Sequence, residues 1–271
     1  MANPDQMSFL EHLEELRWKL VKAIVAIVLC TIAAFVFKSV IFDVIIFGPK
    51  DPDFLTYRIF CKASMALGLD DSFCLTESFQ LQNIDMSGQF SSHILVSFIA
   101  GLIISFPYVF YQLWSFVLPG LRQGERHVAR GVVFFTSLLF GLGILFGYFV
   151  IAPLSVQFLG NYRVSDQVEN IITLNSFIST VSTTTLASGL VFQLPIVVYF
   201  LARVGLVTPA LLRAYRKHAI VAVLVLSAVI TPPDITSQIL VTLPLIVLYE
   251  ISIHIARVVV KKSAREDVVP S

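Results

Sequence analysis

The stretch FVLPGLRQGERHVAR, from Phe116 to Arg130, lies between two strongly apolar segments of the chain. Its ionisable side chains are Arg122, Glu125, Arg126, His127 and Arg130. Because each of these charges would cost several kcal/mol to bury in hydrocarbon, the stretch is predicted to be a loop in water or at a membrane surface. Glu125 is its only acid, so this residue in particular needs an explanation.

The composition agrees with a membrane location for the segments around this loop. Of the 271 residues, 56% are hydrophobic and 14% are charged, and the mean hydropathy is +0.83. A soluble domain carries about 25% charged residues. The chain is therefore interpreted as a polytopic membrane protein.

The apolar segments predict an all-α fold with six transmembrane helices. The predicted spans are 18–41, 91–116, 131–153, 174–204, 218–231 and 235–255. As a helix, residues 218–231 would be about 21 Å long, which is less than the ~30 Å hydrocarbon core of a bilayer. The fifth and sixth spans are both predicted to be short.

The distribution of basic residues predicts the orientation of these spans. With six crossings, the N-terminus, the loops after spans two and four, and the C-terminal tail lie on one side and carry 14 of the 19 Lys and Arg residues. Cytoplasmic segments of membrane proteins are enriched in these residues. Both termini are therefore predicted to be cytoplasmic.

The whole chain, 1–271, is interpreted as a single membrane domain. The parts predicted to lie outside the bilayer are an amphipathic cytoplasmic helix at 8–20, an extracytoplasmic cap at 42–90, a cytoplasmic loop at 117–130 and a cytoplasmic tail at 256–271. Cys61 and Cys74 both fall in the cap. In an oxidising compartment they could form a disulfide, and the alternative is two free thiols.

Two spans contain polar residues in apolar surroundings. Pro195 removes a backbone hydrogen bond from the fourth span, which is predicted to bend there, and Gln193 should face protein or a water-filled hollow. In the sixth span, Glu250 shares one helical face with His254 and Arg257. Glu250 is interpreted either as part of a charge stripe or as a buried functional acid.

Glu15, in the amphipathic helix, also has two interpretations. Lys19 follows it at the i+4 position, where a solvated ion pair would contribute a few tenths of a kcal/mol. The other interpretation is a binding role for the carboxylate.

No catalytic or metal-binding motif stands out. The chain has no G-x-x-x-x-G-K phosphate loop and no H-E-x-x-H zinc motif. No arrangement of serine with histidine, lysine or aspartate indicates an intramembrane protease. The sequence predicts a protein that is not an enzyme and that has no cofactor and no metal.

Several local patterns together resemble TatC, the polytopic receptor of the twin-arginine protein translocase. They are FLEHLEELRWKL (9–20), SFPYVFYQLWSFVLPGL (105–121), GERH (124–127), YFVIAPLSVQFL (148–159), FQLP (192–195) and TPPDITSQ (231–238). They occur in the family's order and extend over nearly the whole chain. The combination is specific, although no single pattern is.

The resemblance implies a receptor that binds the arginine-pair signal peptide of folded cargo proteins at the cytoplasmic face of the bacterial inner membrane. It implies an oligomeric complex with TatB-like and TatA-like single-span proteins, driven by the proton-motive force, and no nucleic acid. The implied signal-binding positions are Glu15, Leu16, Arg17, Phe116, Pro119, Glu125 and Arg126. The implied outer-face positions are Pro49 and Asp234.

The chain departs from the resemblance at Gln193, where many members of the family carry an acid. Glutamine keeps the hydrogen bonding but cannot titrate, so Gln193 is expected to bond a polar group in a partner's span. The alternative function is a secondary transporter or channel for a small solute. That class predicts charges at mid-membrane and an inverted repeat, neither of which is evident. A structural membrane anchor is the third class.

Overall fold

The helices of this computed structural model account for most of the chain that it describes. The described residues are 9–66, 80–117, 126–165, 167, 170–231 and 235–266. The α-helices are α1 (Phe9–Val36), α2 (Leu55–Ala66), α3 (Gly88–Val117), α4 (Arg126–Phe146), α5 (Ala152–Asn161), α6 (Leu174–Val191), α7 (Leu194–Arg203), α8 (Pro209–Ala214), α9 (Arg216–Ile230) and α10 (Ile235–Glu266). Two π-helices (Val40–Ile46 and Gly147–Ile151) and a 3₁₀ turn (Gly48–Lys50) complete the helical structure of these residues.

Five helical stretches among the described residues are long and apolar enough to cross a membrane. They are Leu13–Val36, Gly88–Phe116, Gly131–Asn161, Leu174–Arg203 and Gln238–Lys261. The predicted fifth span corresponds to α9, which has 15 residues. At 1.5 Å per residue α9 is about 22 Å long, as short as the sequence predicted.

The last helix is longer than predicted. The sixth span was expected to be short, but α10 has 32 residues and continues through Pro244. Helix α3 likewise continues through a proline, Pro107, and has 30 residues. Proline removes a single helical hydrogen bond, and helices in membrane proteins tolerate this loss when neighbouring groups satisfy the freed carbonyl.

The fourth predicted span is broken where the sequence indicated. Helix α6 ends at Val191 and α7 begins at Leu194, with Pro195 in its first turn. The backbone N–H of Gln193 donates to the carbonyl of Leu190 at 3.0 Å, which closes a tighter turn than an α-helix would. The bend therefore follows from the position of Pro195.

Contacts group the chain into two compact units. One comprises residues up to Gly48 together with Asn83–Leu139, and the other comprises Pro49–Gln82 together with the residues from Phe140 onwards. In the first unit, α1 packs along α3. A Cβ on Gly101 would lie 2.7 Å from the Cα of Thr31, so only glycine allows the two backbones this close. Helix α1 is continuous from the predicted surface helix into the first span.

In the second unit, small residues bring α6 against the α4 chain and its π-helical continuation. A Cβ on Gly147 would lie 2.8 Å from the Cα of Thr185, and one on Gly143 would lie 2.8 Å from the Cα of Gly189. These two glycines therefore allow a close approach between the helices. The apolar core nearby comprises Ile151, Phe192, Val223, Val241, Leu245 and Leu248.

A short parallel β-ladder joins β1 (Leu81–Gln82) to β2 (Ile172–Thr173). Leu81 pairs with Ile172, and Gln82 pairs with Thr173. The all-α prediction misses this sheet, because two-residue strands are too short to show the alternation of polar and apolar residues by which a strand is recognised.

Candidate functional site

Glu15 lies in the second turn of α1 and is held by a lysine of the same helix. The Oε1 atom of Glu15 is 2.7 Å from Nζ of Lys19. The two side chains are 28% and 18% exposed, respectively, so they are less solvated than an ordinary surface ion pair. The predicted i+4 pair is present, but neither side chain is fully in solvent.

Lys19 also connects α1 to the end of α3. Its Nζ atom donates to the backbone carbonyl of Ser115 at 2.7 Å. Helix α3 ends at Val117, so the Ser115 carbonyl is one of the last four of the helix. No backbone N–H within the helix donates to these four carbonyls. A cation at this end also interacts favourably with the helix dipole. The contact joins residues 96 positions apart, and the sequence did not indicate it.

The second oxygen of the Glu15 carboxylate has a different environment. Oε2 is buried and has no hydrogen-bond partner among the described residues. Because an ionised carboxylate can accept about four hydrogen bonds, this oxygen has unused capacity. A donor that reached Oε2 would remove the free-energy cost of leaving it unsatisfied.

The other signal-binding positions implied by the resemblance are only partly described. Leu16 is half-buried and Arg17 is exposed in α1, and Phe116 is half-buried in the last turn of α3. Arg126 begins α4, but its side chain lies outside the described part of the chain. Pro119 and Glu125 lie outside it altogether, so the distance between Glu15 and Glu125 stays a prediction.

Gln193 and Pro195, the polar position of the fourth span, lie at the break between α6 and α7. Gln193 is half-buried and Pro195 is buried. The neighbouring Phe192 packs on Phe146, with 5.5 Å between the ring centroids. The prediction that Gln193 bonds to a partner's span is not tested by these contacts.

Glu250 forms a bidentate ion pair with Arg216, the first residue of α9. Its Oε1 atom is 2.8 Å from Nε of Arg216, and its Oε2 atom accepts from Nη2 at 2.9 Å. Glu250 is 45% exposed and Arg216 is 47% exposed. The acid is therefore not buried, and its partner comes from a neighbouring helix. The helical spacing of Glu250 to His254 and Arg257 could not indicate this partner.

Tyr249, next to Glu250, forms a second contact with a neighbouring helix. Its hydroxyl donates a hydrogen bond to the carbonyl of Leu212 at 2.8 Å.

Pro49, the first outer-face position, accepts a hydrogen bond from a buried tyrosine. The hydroxyl of Tyr57 lies 2.8 Å from the carbonyl oxygen of Pro49 and 3.2 Å from that of Pro153. Tyr57 is 2% exposed, and burial raises the pKa of its phenol. Nothing in the sequence marked Tyr57, since its partners are backbone atoms. Asp234 lies outside the described residues.

The cysteines are described in part. Cys61, on α2, is disulfide-bonded, and Cys30 is a free thiol. Cys74 lies outside the described residues, so its pairing with Cys61 stays a prediction. Within the described ranges, no three His, Cys, Asp or Glu side chains cluster in a way that could hold a metal ion.

Comparison with known proteins identifies the family. The TatC family model, described as Sec-independent protein translocase protein, matches residues 11–244. The chain belongs to the TatC family. A TatC protein of a Blattabacterium from Periplaneta americana is 40% identical over 260 residues, which is 95% of this chain and 98% of that protein. TatCy of Bacillus subtilis is 34% identical over 96% of this chain and 93% of its own length.

Solved structures agree with the TatC assignment. A crystal structure of the twin-arginine translocase receptor TatC in DDM superposes with a TM-score of 0.69 at 32% identity, and covers 91% of this chain and 99% of that one. A second TatC receptor structure has a TM-score of 0.65 at 30% identity, and covers 92% and 99%. The chain is thus a multi-pass membrane protein of a protein-translocase family, which is a transport family.

Proposed function

We propose that this TatC-family chain is the receptor subunit that binds the arginine-pair signal peptide of folded cargo proteins at the cytoplasmic face of the bacterial inner membrane. The observation that carries the proposal is the Glu15 carboxylate, which is held in place through Oε1 and whose buried Oε2 has no hydrogen-bond partner among the described residues. Glu125 is the second acid of the proposed site. The two crystal structures that the chain resembles are of twin-arginine translocase receptors, which supports the same role.

The chemistry of arginine suits such a carboxylate. The guanidinium is always charged and presents a planar fork that can donate to both oxygens of one carboxylate, whereas the lysine ammonium is a point charge. Each charge-assisted hydrogen bond contributes about 1.5–3 kcal/mol when it forms away from bulk water. Two such contacts, with the apolar part of the signal, would support micromolar recognition.

We further propose six membrane crossings with both termini in the cytoplasm. Helix α9 would be the fifth crossing, in a locally thinned bilayer or with a sunken outer end, because it is about 8 Å shorter than the hydrocarbon core. The charge count supports this orientation, since 14 of the 19 basic residues then lie inside.

The proposed partners are TatA-like and TatB-like single-span proteins, with the proton-motive force driving movement of the cargo. Gln193, at the break between α6 and α7, is the proposed contact for a polar group of a partner's span, because its half-buried side-chain amide can both donate and accept hydrogen bonds. Replacing Gln193 with Leu should then lower the amount of partner that co-purifies, and an unchanged yield would rule this contact out.

Crosslinking of a synthetic signal peptide to the full-length protein tests the receptor role. An Arg-Arg signal should crosslink to the wild type, and the yield should fall strongly for Glu15→Ala, for Glu125→Ala and for a Lys-Lys signal. Full crosslinking in both variants would instead favour a structural anchor. A small-solute transporter would show solute flux in liposomes that does not depend on either acid.

A further inference from the structure

Lys19 occupies the position that a ligand of Glu15 would need. Its ammonium contacts Glu15 Oε1 at 2.7 Å, and among the described residues it is the cationic group paired with this carboxylate. A guanidinium that donates to both oxygens must therefore take Oε1 from Lys19 as well as reach Oε2.

The displaced ammonium would keep an acceptor. Nζ of Lys19 also contacts the carbonyl of Ser115 at 2.7 Å, and an ammonium group has three donors that can be aimed independently. Lys19 can release Glu15 and stay bonded to the end of α3. The half-buried ammonium therefore keeps a hydrogen-bond partner after the exchange. Without that partner, the exchange would carry an additional free-energy cost.

We propose that Lys19 is a built-in competitor for the Glu15 carboxylate, and that it sets the interaction strength a signal peptide must exceed in order to bind. This inference rests on the proposed role of Glu15 in signal binding. A lysine in the signal offers one ammonium in place of another, so the exchange brings no net gain. An arginine exchanges one contact for two, because its fork also satisfies Oε2.

The competitor role predicts opposite effects for two substitutions of Lys19. Lys19→Met keeps the aliphatic stem and removes the ammonium, so Arg-Arg and Lys-Lys signals should both bind about tenfold more tightly, the equivalent of one charge-assisted hydrogen bond. Lys19→Arg supplies a guanidinium fork within the chain, and an Arg-Arg signal should bind about tenfold more weakly for the same reason.

A purely structural role for Lys19 predicts a different pattern. If Lys19 acts only by joining α1 to Ser115, Lys19→Met should weaken signal binding, and Lys19→Arg, which keeps the charge, should restore most of it. The sign of the change in affinity therefore distinguishes competition from support.

The experiment measures the affinity of fluorescent Arg-Arg and Lys-Lys signal peptides for membranes that contain the full-length chain with its translocase partners. Lys22→Met is the matched control, since it removes an exposed lysine one turn further along α1 and reports the general effect of losing one positive charge. The inference is supported if Lys19→Met tightens binding clearly more than Lys22→Met does and Lys19→Arg weakens it.

It is overturned if Lys19→Met matches Lys22→Met or binds more weakly than the wild type. A Glu15→Gln arm separates this result from the proposed function. If Glu15→Gln binds the Arg-Arg signal as well as the wild type does, the receptor role of Glu15 fails, whatever Lys19 does. If Glu15→Gln loses binding and Lys19→Met does not tighten it, only the competitor role fails.

Discussion

Two glutamates of this chain form ion pairs within their units, and their surroundings differ. Glu250 is 45% exposed and gives both oxygens to the fork of Arg216, at 2.8 and 2.9 Å. Glu15 is 28% exposed and gives one oxygen to Lys19, while the other is buried without a hydrogen-bond partner among the described residues. Within the described residues, both oxygens of the more exposed acid are therefore paired, and only one oxygen of the less exposed acid is.

The comparison separates an acid whose two oxygens are already paired within the chain from one that can bind a ligand. A signal arginine that approached Glu250 would have to displace Arg216 from a bidentate ion pair. It would form an equivalent pair in its place, so there would be no net gain. At Glu15 it would replace a single ammonium contact and add a second hydrogen bond. The Arg216–Glu250 pair also shows, within this chain, the geometry proposed for a signal arginine on Glu15.

The largest expected effect comes from removing the charge of Glu15. Glu15→Gln should weaken binding of an Arg-Arg signal by about 100-fold, because an amide loses the charge and one of the two acceptor oxygens that the fork requires. Peptide titration of the full-length protein measures this. Glu14→Gln is the control, since Glu14 is exposed on the same helix and should keep wild-type affinity. Equal loss in both variants would mean that general charge, not the Glu15 site, attracts the signal.

The next largest effect is expected when α1 is pushed away from α3. The packing of these two helices positions Lys19 against Ser115. In Gly101→Leu the new side chain would meet the backbone of Thr31, whose Cα lies 2.7 Å from the added Cβ. Such overpacking should lower the free energy of unfolding by about 2 kcal/mol and also weaken signal binding. Thermal unfolding in detergent measures the first effect and peptide titration the second.

Gly131→Leu is the matched control for this substitution, because a Cβ there has nothing within 4 Å. It should leave both the unfolding free energy and the signal affinity close to those of the wild type. If Gly101→Leu destabilises the protein but keeps full signal affinity, the α1–α3 contact does not position the binding site.

Tyr57 tests whether burial of a polar group is enough for it to affect signal binding, or whether the group must also lack a hydrogen-bond partner. Its side chain is buried, and carbonyl oxygens accept from its hydroxyl. Tyr57→Phe should lower the unfolding free energy by about 1 kcal/mol and leave signal affinity unchanged. A change in signal affinity would show that a buried group whose hydrogen bonds are formed also affects the Glu15 site.

The same residue predicts a pH dependence. Burial raises the pKa of the folded Tyr57 phenol, so the unfolded chain loses this proton first, near its ordinary pKa of about 10. Because the folded state then binds more protons, the Tyr57 contribution to stability is present below about pH 10 and is lost as the pH rises further. Unfolding measured between neutral and alkaline pH should show a shallower decline in Tyr57→Phe.

The smallest effect is expected at Glu250. Since the pair with Arg216 is about half exposed, Glu250→Gln should change the unfolding free energy by less than about 1 kcal/mol, and high salt should reduce the difference. Signal affinity should not change. If Glu250→Gln abolished signal binding as Glu15→Gln is expected to, the distinction between the two acids would be wrong.

Features set by neighbours along the chain could be predicted from the sequence. The lengths of the apolar runs indicated the spanning helices, Pro195 indicated the break after α6, and the i+4 spacing indicated the pair of Glu15 with Lys19. The length of α10, which continues through Pro244, was not predicted. Whether proline breaks a helix depends on what surrounds the carbonyl that it frees, and that is not a local property.

The amino-acid order alone was enough to indicate the membrane class, the family, the positions of the apolar helices and the one-turn contact between Glu15 and Lys19. The folded chain was needed to find that Lys19 reaches the Ser115 carbonyl, that Arg216 contacts both oxygens of Glu250, and that Oε2 of Glu15 is buried without a partner among the described residues. Helical periodicity brings residues four apart together in any context. Contacts across 96 or 34 positions depend instead on which helices pack together and which rotamers their side chains adopt.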